Sequence, residues 1–147
     1  MNNAREDIMK EILERCWKVS GVTFVIRNPK KEPEVGDLPF IGIFELDDNV
    51  VESSKRGKYF IYKRVLEVII EPFILATSDG AASTELTSFV DLLKKVLYTD
   101  GVSLGKRCEV SEAGSGKVLR PPVDANAIGI SLRFKILYIE NVESLFT

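Results

Sequence analysis

The sequence predicts an α+β domain: a mostly antiparallel or mixed sheet of about four to five strands with two helices packed on one face, in the order α-β-β-β-α-(β)-β. Three observations carry this. Residues 5–19 and 83–100 place apolar side chains at helical spacing, residues 62–70 and 127–139 alternate apolar with polar, and polar segments rich in Pro or Gly separate the periodic runs. Across 147 residues there is no internal repeat, low-complexity tract or second composition regime, so a single domain spanning 1–147 is expected.

The first helix is "REDIMKEILERCWKV". Ile8, Ile12, Leu13 and Cys16 recur on one face with Met9 beside them, while Glu6, Lys10, Glu14 and Lys18 turn away. Gly21 is a plausible stop and Trp17 is expected to pack against core or rim. "GVTFVIR" then reads as a short strand and "NPKKEPEVGD" as a loop. "LPFIGIFEL", residues 38–46, reads as a second strand, with Pro39 near its start where a missing amide is tolerated. Residues 47–57 are polar.

The run "KYFIYKRVLEVIIEPFIL" follows. Tyr62, Leu66, Val68 and Ile70 share one face, which Arg64 interrupts near its outer end. Wholly extended, these residues would reach ~60 Å at about 3.3 Å each, so one end should project or bend. "STELTSFVDLLKKVLYTD" is the clearest helix, with Leu86, Phe89, Val90, Leu93, Val96 and Leu97 in register, Ser83 as the expected N-cap and Glu85 in its first turn. Residues 99–123 form a loop or hairpin region. "AIGISLRFKILYI" closes the chain as a half-buried strand.

Composition narrows function. Hydrophobic residues make up 45% and charged residues 29%, with a net charge of −2, so no global field favours nucleic acid or an acidic membrane. No apolar stretch approaches the ~18 residues of a membrane span, and the polar start does not read as a secretory signal. The chain has no histidine, which removes Ser-His and Cys-His nucleophile pairs and most zinc sites. Cys16 and Cys108, far apart, read as two reduced, partly buried thiols. No catalytic residue, metal or cofactor is assigned, and no enzymatic activity is expected.

Three stretches carry residue types suited to chemistry. "SEAGSGKVLRPP" resembles a phosphate loop, but a Walker motif placed on Gly116-Lys117 puts Ser111 at its first glycine and Val118 at its hydroxyl; Gly105-Lys106 puts Asp100 and Arg107 there. Pro121-Pro122 also forbid the helix that should receive the phosphate. Gly114, Ser115, Gly116 and Lys117 instead read as a flexible turn joining "RCEVSE" to "KVLRP". Glu45, Asp47 and Asp48 could hold a divalent cation through oxygen, or be a solvated strand end. The basic run Lys55, Arg56, Lys58, Lys63 and Arg64, interleaved with Tyr59, Phe60 and Tyr62, could contact nucleic acid, meet an acidic surface on a neighbouring subunit, or be a solvated loop. With the acidic stretch Glu45 to Glu52 just before it, the strand pair carries opposite charge on its two flanks, which suits a head-to-tail ring.

The order of elements resembles the tail terminator family of long-tailed bacteriophages, the family of the lambda minor tail protein U. Asp37-Leu38-Pro39 leading into a strand, Glu67-Val68 among aliphatics, Ser83-Thr84-Glu85-Leu86 opening a helix, and Ile136-Leu137-Tyr138 in a last strand stand where that family has them. The likeness covers about residues 5–140 and is one of order and spacing; "SSKRGKYF" and "CEVSEAGSGKVLRPP" have no counterpart in it.

The resemblance implies a virion component assembled in the bacterial cytoplasm. It would form a ring, as a hexamer, that ends tail-tube polymerisation and joins tail to head. Its partners would be itself, the tail-tube protein and a head connector protein, with DNA only passing through the lumen and no membrane. On that reading Glu45, Asp47, Asp48, Glu52, Lys55, Arg56, Lys58, Lys63 and Arg64 are interface candidates, and Gly114 to Lys117 a mobile loop that orders on assembly. A different head–tail connector, neck or adaptor protein is the alternative; a metal-dependent hydrolase and a nucleic-acid-binding module are further ones.

Overall fold

A computed structural model describes residues 3–106, 108–114, 116–122 and 124–144. Two helices, α1 (Ala4–Trp17) and α2 (Ala82–Leu97), accompany six strands: β1 (Phe24–Arg27), β2 (Phe40–Arg56), β3 (Tyr59–Leu75), β4 (Cys108–Glu112), β5 (Lys117–Leu119) and β6 (Ala127–Glu143). The sheet order is β1-β2-β3-β6-β4, with β5 also paired to β6. Only β1 runs parallel to its neighbour; the other pairings are antiparallel. The sheet is thus mixed, as expected, with one strand more than the expected upper number.

The helices form where apolar spacing placed them. Asn3 caps α1, its side-chain oxygen accepting from the Glu6 amide at 3.1 Å. Ile8, Met9, Ile12 and Cys16 are buried with Leu86, Phe89, Leu93 and Leu97 of α2 and with Leu66, Val68, Ile70, Leu132, Phe134 and Ile136 of β3 and β6. Those strand positions share one parity, so both helices lie on one face of the sheet. Arg15 is buried between the helices: it donates to the Leu97 carbonyl at 2.9 Å and pairs with Glu11 and Asp100. Its charge therefore closes the C-terminal end of α2, where the helix dipole favours a cation.

Three expectations are corrected. Ser83 is not the N-cap of α2: Ala81 is, and Ser83 lies within the helix, its carbonyl accepting the Thr87 hydroxyl. The start of α2 is held instead by Glu85, which accepts from both the Thr77 amide and hydroxyl; these bonds lower the Glu85 carboxyl below its ordinary pKa. Trp17 is not packed away but half exposed at the end of α1. And β2 does not end at residue 46. It continues to Arg56 because each polar residue of 48–56 finds a backbone partner on β3, apart from the bulge positions.

The segment around residues 108–119 is not a hairpin. β4 and β5 run in the same direction along one edge of β6: Glu112 lies opposite Phe134 and Lys117 opposite Ser131. Five residue steps on the edge strand therefore span three on β6, and the excess swells out as a bulge. Gly114, at φ 77°, and Gly116, against Ile130, lie in it; Ser115 lies outside the described residues. The chain thus continues along β6 where a reversing turn was expected.

Candidate assembly surface

The three long strands outrun the helices. No residue from 44 to 65 of β2 and β3, and none beyond Tyr138 of β6, belongs to the hydrophobic core. From Leu66 to Tyr59 the strands extend about 23 Å past it. The result is a three-stranded arm, β2-β3-β6, uncovered by the helices. Gly57-Lys58 turns its tip; Gly57 sits at φ 58°, the positive value that a two-residue hairpin loop needs at its first central position. The arm carries exposed apolar side chains: Val50, Val51, Tyr59, Ile139 and Val142 are each more than a third accessible.

β6 is one outer strand of the arm, its described pairing with β4 ending at Tyr138; the other is β2, since β1 pairs only with its first residues. Two irregularities break its register, between Glu45 and Asp48 and between Val50 and Glu52. Bulges and charges on a free edge oppose indiscriminate strand pairing. On this edge the arm therefore offers a partner its side chains more than its backbone.

Charge on the arm is ordered, though not as the sequence alone implied. At the arm's root, Glu45 and Asp48 point to the helix side and are paired within the chain. Arg27 makes a two-pronged bond to Glu6, at 2.7 and 3.0 Å, and also reaches Glu45 at 2.5 Å. Arg5 bridges Glu45 and Asp48 at 3.5 and 3.1 Å. The hydrogen bonds from Arg27 hold the Glu6 carboxyl below its ordinary pKa. Arg64 pairs with Glu140 at 3.0 Å, and its guanidinium lies 5.6 Å from the Tyr62 ring. At the tip, Lys58 pairs with Glu143 at 2.7 Å.

Asp47, Glu52, Lys55, Arg56 and Lys63 make no ion pair with any described residue. Lys55 and Arg56 sit at the tip, with the Lys55 ammonium 5.3 Å from the Phe60 ring, while Asp47 and Glu52 lie toward the root. Of the nine interface candidates, these five keep uncommitted charge. Sequence reading missed Arg5, Arg27, Tyr138, Glu140 and Glu143 as the partners of the others, because they come from α1, β1 and β6, remote in the chain.

Glu45, Asp47 and Asp48 do not converge: Glu45 and Asp48 are held by arginines, and Asp47 is exposed. Among the described residues, no group of three or more Cys, Asp or Glu could hold a metal ion. Cys16 is buried and its thiol is pushed up to about 12; burial raises that of Cys108 to about 11. Neither thiolate is populated at neutral pH. Ellman's reagent at pH 8 should find both thiols slow in the folded chain and both rapid in denaturant; a fast native thiol contradicts this burial. Among the described residues, no helix is long and apolar enough to cross a membrane.

On the helix-free face, a cleft of about 430 Å³ lies between the 29–33 loop and β5, lined by Phe40, Phe44, Phe73 and Arg120. Glu71 also lines it, and partial burial raises its carboxyl above the ordinary range.

No protein-family model and no curated protein sequence matches this chain. In structure, the chain is similar to a chain from the virion of a native gene transfer agent (GTA) particle: TM-score 0.50 at 10% identity, covering 95% of this chain and 100% of that one. At that identity the likeness is one of fold.

Proposed function

We propose that this protein is a structural component of a phage-like virion, of the tail terminator type. It forms a ring, a hexamer, that caps the tail tube, stops its polymerisation and presents a surface to the head connector. The observation that carries this reading is the arm: three strands extended beyond the core, with apolar side chains bare and charge uncommitted at root and tip. A solvated arm of this kind costs conformational entropy with no burial to offset it, so it is expected to find its burial on another subunit. The fold shared over nearly the whole chain with a virion protein supports the same reading. No step of it requires catalysis or a cofactor.

In the ring, the basic tip at Lys55 and Arg56 meets the acidic root at Asp47 and Glu52 of the next copy, a heterologous contact that closes by rotation. Gly114, Gly116 and Lys117, where β4 gives way to β5 on the edge of β6, form a second contact between copies. The ring assembles in the bacterial cytoplasm and DNA passes through its lumen. Light scattering on the purified chain, alone and mixed with the tail-tube protein from the same genome, tests it. A particle near six times the 16.5 kDa of one chain, or a capped tube, is expected. A strict monomer in both samples overturns the proposal.

A further inference from the structure

The geometry points to Asp48 as a latch that fixes the direction of the arm against the helical body. Asp48 stands where the core ends and the arm begins, opposite Leu66, the last core residue of β3. Three elements converge on its carboxylate. The Tyr138 hydroxyl of β6 donates to Oδ2 at 2.6 Å, and Arg5 of α1 donates to the same oxygen at 3.1 Å. Arg64 of β3 lies 3.7 Å from Oδ1 and donates to the Asp48 backbone carbonyl at 3.4 Å. One side chain on β2 thus ties together the helix, the adjacent strand β3 and, across it, β6.

Two further observations show that this is a joint and not only a buried ion pair. The register breaks on both sides of it, between Glu45 and Asp48 and between Val50 and Glu52, so β2 is free to change direction there. And Asp48 Oδ1 is buried with no hydrogen-bond partner. That oxygen meets only the Arg64 guanidinium, beyond hydrogen-bond distance, so Asp48 is held mainly through Oδ2 and less firmly than a fully hydrogen-bonded carboxylate. Tyr138 shows the same environment from the other side: burial, then its bond to Asp48, raises its hydroxyl above the ordinary pKa. The latch stands independently of any ring. It predicts that the free chain holds its arm in one direction, and that releasing Asp48 loosens the arm alone.

Hydrogen exchange by mass spectrometry on the full chain tests this. The variant Asp48→Asn keeps the shape and removes the charge. Peptides covering residues 49–63 and 139–143 should exchange about tenfold faster, while those covering 66–74 and 86–97 keep wild-type rates. Arg5→Gln, on a partly exposed side chain at the edge of the cluster, should act in the same direction and less strongly, which keeps the test open if Asp48→Asn folds poorly. Exchange that rises equally in arm and core, or does not rise in either variant, overturns the latch. Because the readout is taken on the unassembled chain, failure of the latch and failure of ring formation are told apart.

Discussion

Replacing Gly129 with alanine should destabilise the fold by about 3 kcal/mol, at the upper end of the cost of overpacking a core. Gly129 lies near the start of β6, opposite Phe73. A Cβ built there would lie 2.4 Å from the Phe73 ring and 2.7 Å from the carbonyl oxygen of Pro72. The ring could turn aside, but the carbonyl is backbone on the neighbouring strand and cannot move without breaking the ladder. The melting temperature should fall by about 10 °C in a chain of this size. Shortening the ring in Gly129→Ala/Phe73→Leu should recover only part of the loss. The contrast is Gly80→Ala, where nothing lies within 4 Å of the added carbon, and which should stay within about 0.5 kcal/mol of wild type. If Gly129→Ala melts within the same margin, the close approach of β3 to β6 is wrong.

The double variant Lys55→Glu/Arg56→Glu should abolish ring assembly while leaving the subunit's stability almost untouched. Both residues are exposed at the tip and bound by no described acid. Reversal costs the folded chain little beyond the Lys55–Phe60 contact, about 0.5 kcal/mol at an exposed site. Between copies the effect is different in kind. In the proposed ring, two cations that would meet Asp47 and Glu52 of the next copy become two anions facing them, and like charges brought together cost several kcal/mol. Light scattering should report the monomer mass under conditions where the wild type assembles, with superimposable melting curves for the unassembled chains. Wild-type assembly should also weaken with added salt. Rings formed by the double variant at wild-type concentration would remove the tip from the interface. If the wild type stays monomeric alone but caps tubes, the same variants read out through tube length instead.

These two changes differ in how visible they are in the sequence. The basic run at the tip is plain in the letters, because charge needs no context to be counted. Gly129 is not: within "AIGISLRF" it is one more residue on the polar side of an alternation, and only the approach of Phe73 and Pro72 makes it indispensable. The helices were legible because a 3.6-residue period survives any tertiary context, and β3 and β6 because their core halves alternate cleanly. The outer half of β2 was not. "DDNVVESSKR" has no buried face, so its pattern carries no period, and it is a strand only because β3 lies beside it. β4 and β5 are short and end to end on one edge, an arrangement that two apolar-poor segments around a glycine pair cannot announce.

The sequence by itself determined the class of the domain, its two helices and their buried faces, and the exclusion of imidazole chemistry. Each follows from composition or local periodicity, properties that neighbours in the chain carry alone. The tertiary structure decided which charges remain free. Glu45 and Asp48 looked as available as Asp47, and Arg64 as available as Lys63, until Arg27 of β1, Arg5 of α1, and Glu140 and Tyr138 of β6 were brought against them. Ion pairing depends on distance in space, and residues 18 to 90 positions apart are brought together only when the sheet forms.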